Sequence, residues 1–416
     1  MRPIAITGFG VVSALGHDAR GFHDALVAGR TAIVPAPWAA RLDGRKAWWG
    51  LVGDFDPADW MDAKVAEGSD LFAQFALAAT AQAVRHAGLD DMDPLRTAIV
   101  HGTSIGGVRA VMKAQHALDT AGPQAIPRKT MIQVWPNMAA AQIAMRYRLH
   151  GPSITVTTAC ASALDAIGTA ARLIDEGHAD VALAGATEGG ISAPGGGTEG
   201  DFVPVMFYTS TLYGMDAASD DPNRAMLPFD VKRAGIVVGE GAAMLVLERP
   251  EHARARGAPI LGYLRGYGNC ADAHHPSSPD PSGQWEAHAM RLALKDADVA
   301  PDDVQALIAH ATGTPKGDTA EINAINAVHG GRGLPVASVK GHIGHPGAPG
   351  GAMGIMTLLQ GMDDGHFLMT ANTDQPDPAC DFEVVTGQAK PLDYGCAQVN
   401  AFGFGGQNAS VVVSRD

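Results

Sequence analysis

The sequence predicts an α/β protein with mixed or parallel sheets. Short β-branched runs alternate with longer Ala/Leu stretches along most of the 416 residues, the rhythm of strands followed by covering helices. One strand–loop–helix plan recurs in two places, which points to a duplicated architecture. The length leaves ample core for two or three domains, or for two fused halves.

Each element follows from local pattern. The opening MRPIAITGFGVVSALG carries one arginine ahead of an alternating run. It reads as a strand over 3–8 that closes in a glycine turn, not as a secretory signal. Further strands are expected at 97–101, 153–158, 180–185, 242–248, 305–310, 335–339, 396–401 and 409–414. Helices are expected at 70–87, 137–148, 161–176, 284–298, 318–328 and 350–362. The stretch 189–230, rich in Gly, Pro, Asp and Ser, lacks this rhythm and reads as a long functional or interface loop. In the echo, TAIVHGTSIGG (97–107) is matched by ALIAHATGTPKG (306–317), and SITVTTACASALDAIG (153–168) by PVASVKGHIGHPGAPGGAMGI (335–355). This places a boundary near residue 250, giving halves of 1–250 and 251–416.

Composition removes several function classes. The net charge of −14, with no long basic run, argues against nucleic-acid binding. No run of 18 apolar residues exists, so no membrane-spanning helix is expected. The four cysteines, Cys160, Cys270, Cys380 and Cys396, are sparse and form no CxxC pair, which fits a reducing, cytoplasmic setting. Glycine accounts for 51 residues, about 12% against a usual ~7%. Such abundance implies many tight turns or close backbone approaches.

Some residues carry candidate chemistry. Cys160 follows a β-type run and precedes the helical ASALDAIGTAARLI. A sulfur at a helix N-terminus is expected to have a lowered thiol pKa; a small core residue is the competing reading. His310 ends a strand, where α/β sites are built, and Thr312 and Thr314 follow at alternate positions. His345 lies in a Gly/Pro-rich loop five residues after Lys340. His342 and His345 lack a third ligand at sensible spacing, and adjacent His274 and His275 diverge on a strand, so a metal site is not expected. NAFGFGGQNAS (400–410) is either an ordinary hairpin or a loop whose backbone N–H groups approach a ligand. GTSIGG (102–107) is no dinucleotide fingerprint.

TACAS at Cys160, the His-x-Thr-Gly-Thr stretch at His310, Lys340 with His345, and NAFGFGG occur in that order. Together with GPSITVTTACASA, LPFDVKRAGIVVGEGAAMLVLE and DAHHPSSPDPSG, the set resembles the elongating β-ketoacyl-acyl-carrier-protein synthases and the related polyketide ketosynthases, over nearly the whole chain. The resemblance implies a thiolase-like fold, two similar α/β halves in a five-layer α-β-α-β-α stack, usually dimeric. It implies decarboxylative condensation of acyl and malonyl thioesters borne on an acyl carrier protein, with no further cofactor. Cys160 would accept the acyl group, and His310 and His345 would hold the malonyl carbonyl while Lys340 supports them. Phe404 would gate the site and share an oxyanion hole with Cys160. Ile105 and Phe402 would border the acyl pocket, Thr312, Thr314 and Ser277 would hold pantetheine, and Lys64, Arg128 and Lys129 would dock the carrier. The assembly would be a homodimer or a heterodimer with a ketosynthase-like partner.

The chain departs from that pattern at several points. Ala311 stands where glycine is usual, and Gly354 where many fatty-acid members place a glutamate, so Lys340 is expected to lack its usual carboxylate. Glu67 and Gly68 replace common basic positions. The chain is shorter between Pro127 and Pro136 and longer over 191–221. These changes point towards a polyketide or other dedicated acyl pathway. Three competing readings remain: a non-condensing acyltransferase, a partner subunit (which generally lacks the cysteine), and a degradative thiolase, the poorest fit.

Overall fold

The computed structural model describes residues 1–189 and 204–416. Its first half gives five strands to the main sheet, β1 (Ile4–Val12), β2 (Thr97–Gly102), β3 (Ser153–Val156), β4 (Val181–Glu188) and β5 (Gly241–Glu248). The second builds β6 (Gly262–Ala271), β7 (Ala306–Ile308), β8 (Pro335–Ala337), β9 (Glu383–Val384), β10 (Cys396–Gly403) and β11 (Gln407–Ser414). The order in the first half is β1-β5-β4-β2-β3, and in the second β6-β11-β10-β7-β8, with β9 added at the edge. The sense repeats as well. In each half the first two pairings are antiparallel and the next two parallel. The halves join where Ile4–Ile6 pairs with Gly262–Leu264, making one continuous 11-stranded sheet.

Six helices complete the layers: α1 (Leu71–His86), α2 (Met138–Tyr147), α3 (Ser162–Asp175), α4 (Gln284–Ala297), α5 (Pro315–His329) and α6 (Gly350–Asp364). Both faces of β5 are buried, which is why it reads as an unbroken apolar run. Leu245 and Leu247 face a central core with Ile167 of α3 and Met356 of α6. Met244 and Val246 face an outer core with Phe72 of α1 and Ile143 of α2. A third core places Met290 of α4 and Ile325 of α5 against Leu307 and Val336. Helices, sheet, helices, sheet, helices is the five-layer stack.

All six expected helices are present within a few residues. Other helices are not among those expected, including Ala19–Val27 and Val108–Ala121, although both are amphipathic. The expected loop at 189–230 is corrected in part: Pro204–Leu212 is helical, while 190–203 lies outside the described residues. Strand β6 is not among the expected strands, because it has no β-branched residue and holds three glycines, Gly262, Gly266 and Gly268. Added Cβ atoms on Gly266 and Gly268 would lie 2.3 and 2.4 Å from the backbone of Ala293 in α4. Close sheet–helix approach, not a turn, requires those glycines. Gly10 in β1 is similar, its Cβ position lying 1.9 Å from the Ala79 carbonyl oxygen of α1. Gly10→Ala is expected to cost roughly 3 kcal/mol of stability, read as a lower urea midpoint; an unchanged midpoint refutes the packing argument.

A small sheet of Val34–Ala40, Lys46–Gly50 and Val238–Gly239 brings Trp49 and Val238 towards the junction of the halves. All four cysteines are free thiols. Among the described residues, no helix is long and apolar enough to cross a membrane.

Candidate active site

Cys160 sits in a single 3-10 turn, Ala159–Ala161, that leads directly into α3. Ala159 has a φ of +50°, a left-handed conformation that costs a non-glycine residue strain and turns the chain sharply between β3 and α3. The hairpin tip between β10 and β11 closes over this turn. A Cβ at Gly403 would lie 2.8 Å from the Thr158 carbonyl oxygen and 3.1 Å from the Cys160 nitrogen, so glycine permits the approach. The backbone N–H groups of Cys160 and Phe404 lie close enough to the Cys160 sulfur to favour its thiolate. The tail is therefore a hairpin and also a wall of the site.

The second half supplies the histidines from corresponding turns. His345 Nε2 lies 3.0 Å from Cys160 Sγ. The Gly347 N–H donates to His345 Nδ1 at 3.4 Å, which assigns the ring proton to Nε2. The His345 backbone is pinned on both sides, its N–H to the Val237 carbonyl (2.7 Å) and its carbonyl to the Gly239 N–H (2.8 Å). The His310 ring meets that of His345 edge to face, with centroids 5.2 Å apart, and that of Phe402 at 6.0 Å. Donor atoms of Cys160, His310 and His345 all lie within 4.8 Å of one another. His342 instead turns both ring nitrogens to the carbonyls of Arg30 and Met369.

Burial lowers the pKa of both His310 and His345 well below the ordinary range, and the Lys340 charge adds to this. Both imidazoles are neutral and keep an N–H to donate. Burial pushes the Cys160 thiol up to about 11, against the favourable Lys340 charge and the two backbone N–H groups. The direction is opposite to that expected of a sulfur at a helix N-terminus, because burial disfavours the charged thiolate.

Lys340 donates to the His310 carbonyl, and burial lowers its ammonium to about 8. It does not lack a carboxylate, since Glu321 on α5 is the leading charge that raises it. The same side chain accepts the N–H groups of His310 (2.8 Å) and Ala311 (2.6 Å). It thereby clamps a turn in which Ala311 takes a φ of +31°. Sequence reasoning missed Glu321 and its neighbour Asp318, which accepts the Gly313 N–H at 3.0 Å. Two acids three apart among the apolar residues of a helix were the available signal. Glu321→Ala is expected to cost about 1–3 kcal/mol or more, because it leaves the buried N–H groups of His310 and Ala311 unpaired and removes a negative charge near Lys340; urea unfolding measures it, and an unchanged midpoint refutes the clamp.

A cavity of about 280 Å³ runs to Cys160 between the halves. Trp49, Ile105, Met215, Ile236, Val238 and Phe402 give it apolar walls. Ile105 is held by Glu188, which accepts the N–H groups of Ser104 (2.9 Å) and Ile105 (3.4 Å). Thr312 and Thr314 line the cavity with their hydroxyls 2.9 Å apart. Phe404 stands at the wall, 52% exposed. Ser277 is exposed and does not line the cavity; its neighbour Ser278 does. Lys64 and Arg128 are exposed away from the cavity, and Lys129 pairs with Glu67 at 2.8 Å.

The family profiles fit this geometry: "Beta-ketoacyl synthase, N-terminal domain" matches residues 1–253 and "Beta-ketoacyl synthase, C-terminal domain" residues 261–374. The chain belongs to the β-ketoacyl synthase family. It is 35% identical to 3-oxoacyl-acyl-carrier-protein synthase 2 of Coxiella burnetii, covering 100% of this chain and 99% of that protein. It is 34% identical to the synthase of the same name from Vibrio harveyi, with coverage of 100% and 99%. Among solved structures, the ishigamide ketosynthase/chain length factor superposes with a TM-score of 0.90 at 31% identity, covering 100% and 99% of the two chains. A β-ketoacyl synthase from Burkholderia phymatum gives 0.89 at 31%, covering both chains completely. Members of the family are acyltransferase-type condensing enzymes, and in this chain Cys160, His310 and His345 meet at the end of the channel.

Proposed function

We propose that this chain is a ketosynthase that condenses a Cys160-bound acyl group with malonyl-carrier, in a polyketide or other dedicated acyl pathway of the cytoplasm. The observation that carries the reading is the convergence of His345, 3.0 Å from Cys160 Sγ, and His310 on that sulfur, the three donor atoms lying within 4.8 Å of one another. In the first step the sulfur attacks the acyl thioester, the bond from acyl carbon to carrier sulfur breaks, and the cysteine proton leaves with the carrier thiol. In the second, the malonyl carboxylate leaves as carbon dioxide and its bonding pair forms an enolate. The N–H groups of His310 and His345 hold the enolate oxygen, and donors preorganised where charge develops lower the barrier most. The enolate carbon attacks the acyl carbonyl, the Cys160 and Phe404 N–H groups hold the resulting oxyanion, and the Cys160 sulfur departs.

Thr312 and Thr314 would hold the pantetheine arm, with Ser278 taking the place expected of Ser277. Lys64 and Arg128 would meet an acidic carrier, while Glu67 neutralises Lys129 and retunes that surface. A dedicated pathway is favoured by Gly354, whose Cβ position lies 3.0 Å from Ile308 and Val399; a glutamate has no room there. Dimerisation, with a second copy or a ketosynthase-like partner, would cover β3, which ends the sheet with an unpaired edge and an exposed Ile154. The deciding experiment supplies malonyl-carrier to the acyl-loaded enzyme. Carbon dioxide release with a 3-oxoacyl product is expected, whereas loading without malonyl-dependent release identifies a non-condensing acyltransferase.

A further inference from the structure

Glu286 lines the same cavity yet takes no part in the chemistry above. It belongs to the first turn of α4, where a carboxylate normally stays in water and gains from the helix dipole. Here the side chain is turned inward and only 2% exposed. Its Oε2 is buried and has no hydrogen-bond partner among the described residues. Burial, with Glu321, Asp272 and Asp318 nearby, raises its carboxyl well above the usual range. This favours the protonated carboxyl, whose hydroxyl can donate a hydrogen bond into the cavity. The surrounding acids are otherwise engaged. Asp272 accepts the Asp280 N–H at 3.0 Å and the Asn408 side-chain amide at 2.5 Å, and Asp318 and Glu321 hold backbone N–H groups. A buried polar group left unpaired in a substrate channel is a cost that a substrate group can remove.

We infer that Glu286 is a specificity-determining residue of this channel, offering a hydrogen bond to a carbonyl or hydroxyl oxygen of the thioester substrate. The inference rests on the ketosynthase reading. The oxygen belongs either to an amide of the pantetheine arm or to an oxygenated acyl chain. The arm fits better, because Gly406, Asn408, Thr312 and Thr314 line the cavity with Glu286.

The test compares wild type, Glu286→Gln and Glu286→Ala in loading of Cys160, followed by mass spectrometry. Substrates are acyl-pantetheine, acyl-N-acetylcysteamine and their 3-oxoacyl counterparts. Glu286→Ala is expected to raise the KM for acyl-pantetheine about tenfold with little change in kcat. Glu286→Gln, which keeps a donor, is expected to restore most of it. If the arm supplies the oxygen, the shorter N-acetylcysteamine thioester is affected less. If the chain supplies it, only the 3-oxoacyl thioesters are affected. Equal kinetics in all three proteins overturn the assignment, as does a loss common to every substrate that Gln does not restore. Wild-type loading without malonyl-dependent condensation overturns the ketosynthase reading alone and leaves the loading comparison to judge Glu286. Absence of loading in wild type overturns both.

Discussion

Cys160→Ala is expected to abolish acyl-enzyme formation: incubation with any acyl thioester leaves the intact mass of the variant unchanged, while wild type gains one acyl group per chain. No other cysteine can replace it. Cys270, Cys380 and Cys396 are free, but none lines the cavity, and burial raises all three thiols. Persistent labelling of the variant at the same stoichiometry refutes the nucleophile. The resting thiol also has a pH signature. With its pKa pushed up to about 11, the thiolate fraction grows about tenfold for each pH unit below that value. Alkylation of Cys160 by iodoacetamide should therefore keep rising beyond pH 9, where an ordinary cysteine has levelled off. The rise flattens somewhat above pH 8, as the Lys340 ammonium discharges and its help to the thiolate fades. A plateau by pH 7 would show instead that the helix N-terminus wins over burial.

That competition marks the limit of what the sequence discloses. Alternation and hydrophobic runs were enough for the six layer-forming helices and most core strands, because each buries an apolar face with a regular period. The echo between 97–107 and 306–317 was legible because β2 and β7 hold the same place in their halves. Strand β6 was illegible, since its glycines answer to α4, more than twenty residues further on. At the site, Cys160, His310, Lys340 and His345 stood out as reactive residue types at turns. Glu321, Glu188 and Glu286 did not. An acid near the end of a strand or on a helix normally reads as solvated, and only the tertiary structure shows that these three are buried, two on backbone N–H groups and one facing a cavity.

The Gly354 departure shows how a local reading can mislead about charge. Losing the glutamate of other members implied a lysine without a carboxylate. In the folded chain Glu321 faces Lys340 and holds the His310 turn, so one acid serves the charge and the geometry. The space near Gly354 is filled by Ile308 and Val399. The ammonium, lowered to about 8, stays protonated at neutral pH, and each neighbouring imidazole is kept neutral.

His345→Ala should separate the two half-reactions. Acyl loading needs the sulfur, the Cys160 and Phe404 N–H groups and the Lys340 charge, all of which the variant keeps, so loading should slow by no more than about tenfold. Condensation needs a donor at the enolate oxygen at the moment its charge develops. Removing one such donor typically costs about 2.7–4 kcal/mol, or roughly 10²–10³ in rate. The two histidine rings adjoin, so His310 is left to hold an oxygen placed for two donors, and the loss should reach the upper end of that range. Malonyl-dependent carbon dioxide release and 3-oxoacyl product, measured on pre-acylated enzyme, should fall together. If product forms at the wild-type rate, His345 has no part in decarboxylation. If loading falls as far as condensation, its 3.0 Å contact with Sγ serves chiefly to activate the thiol.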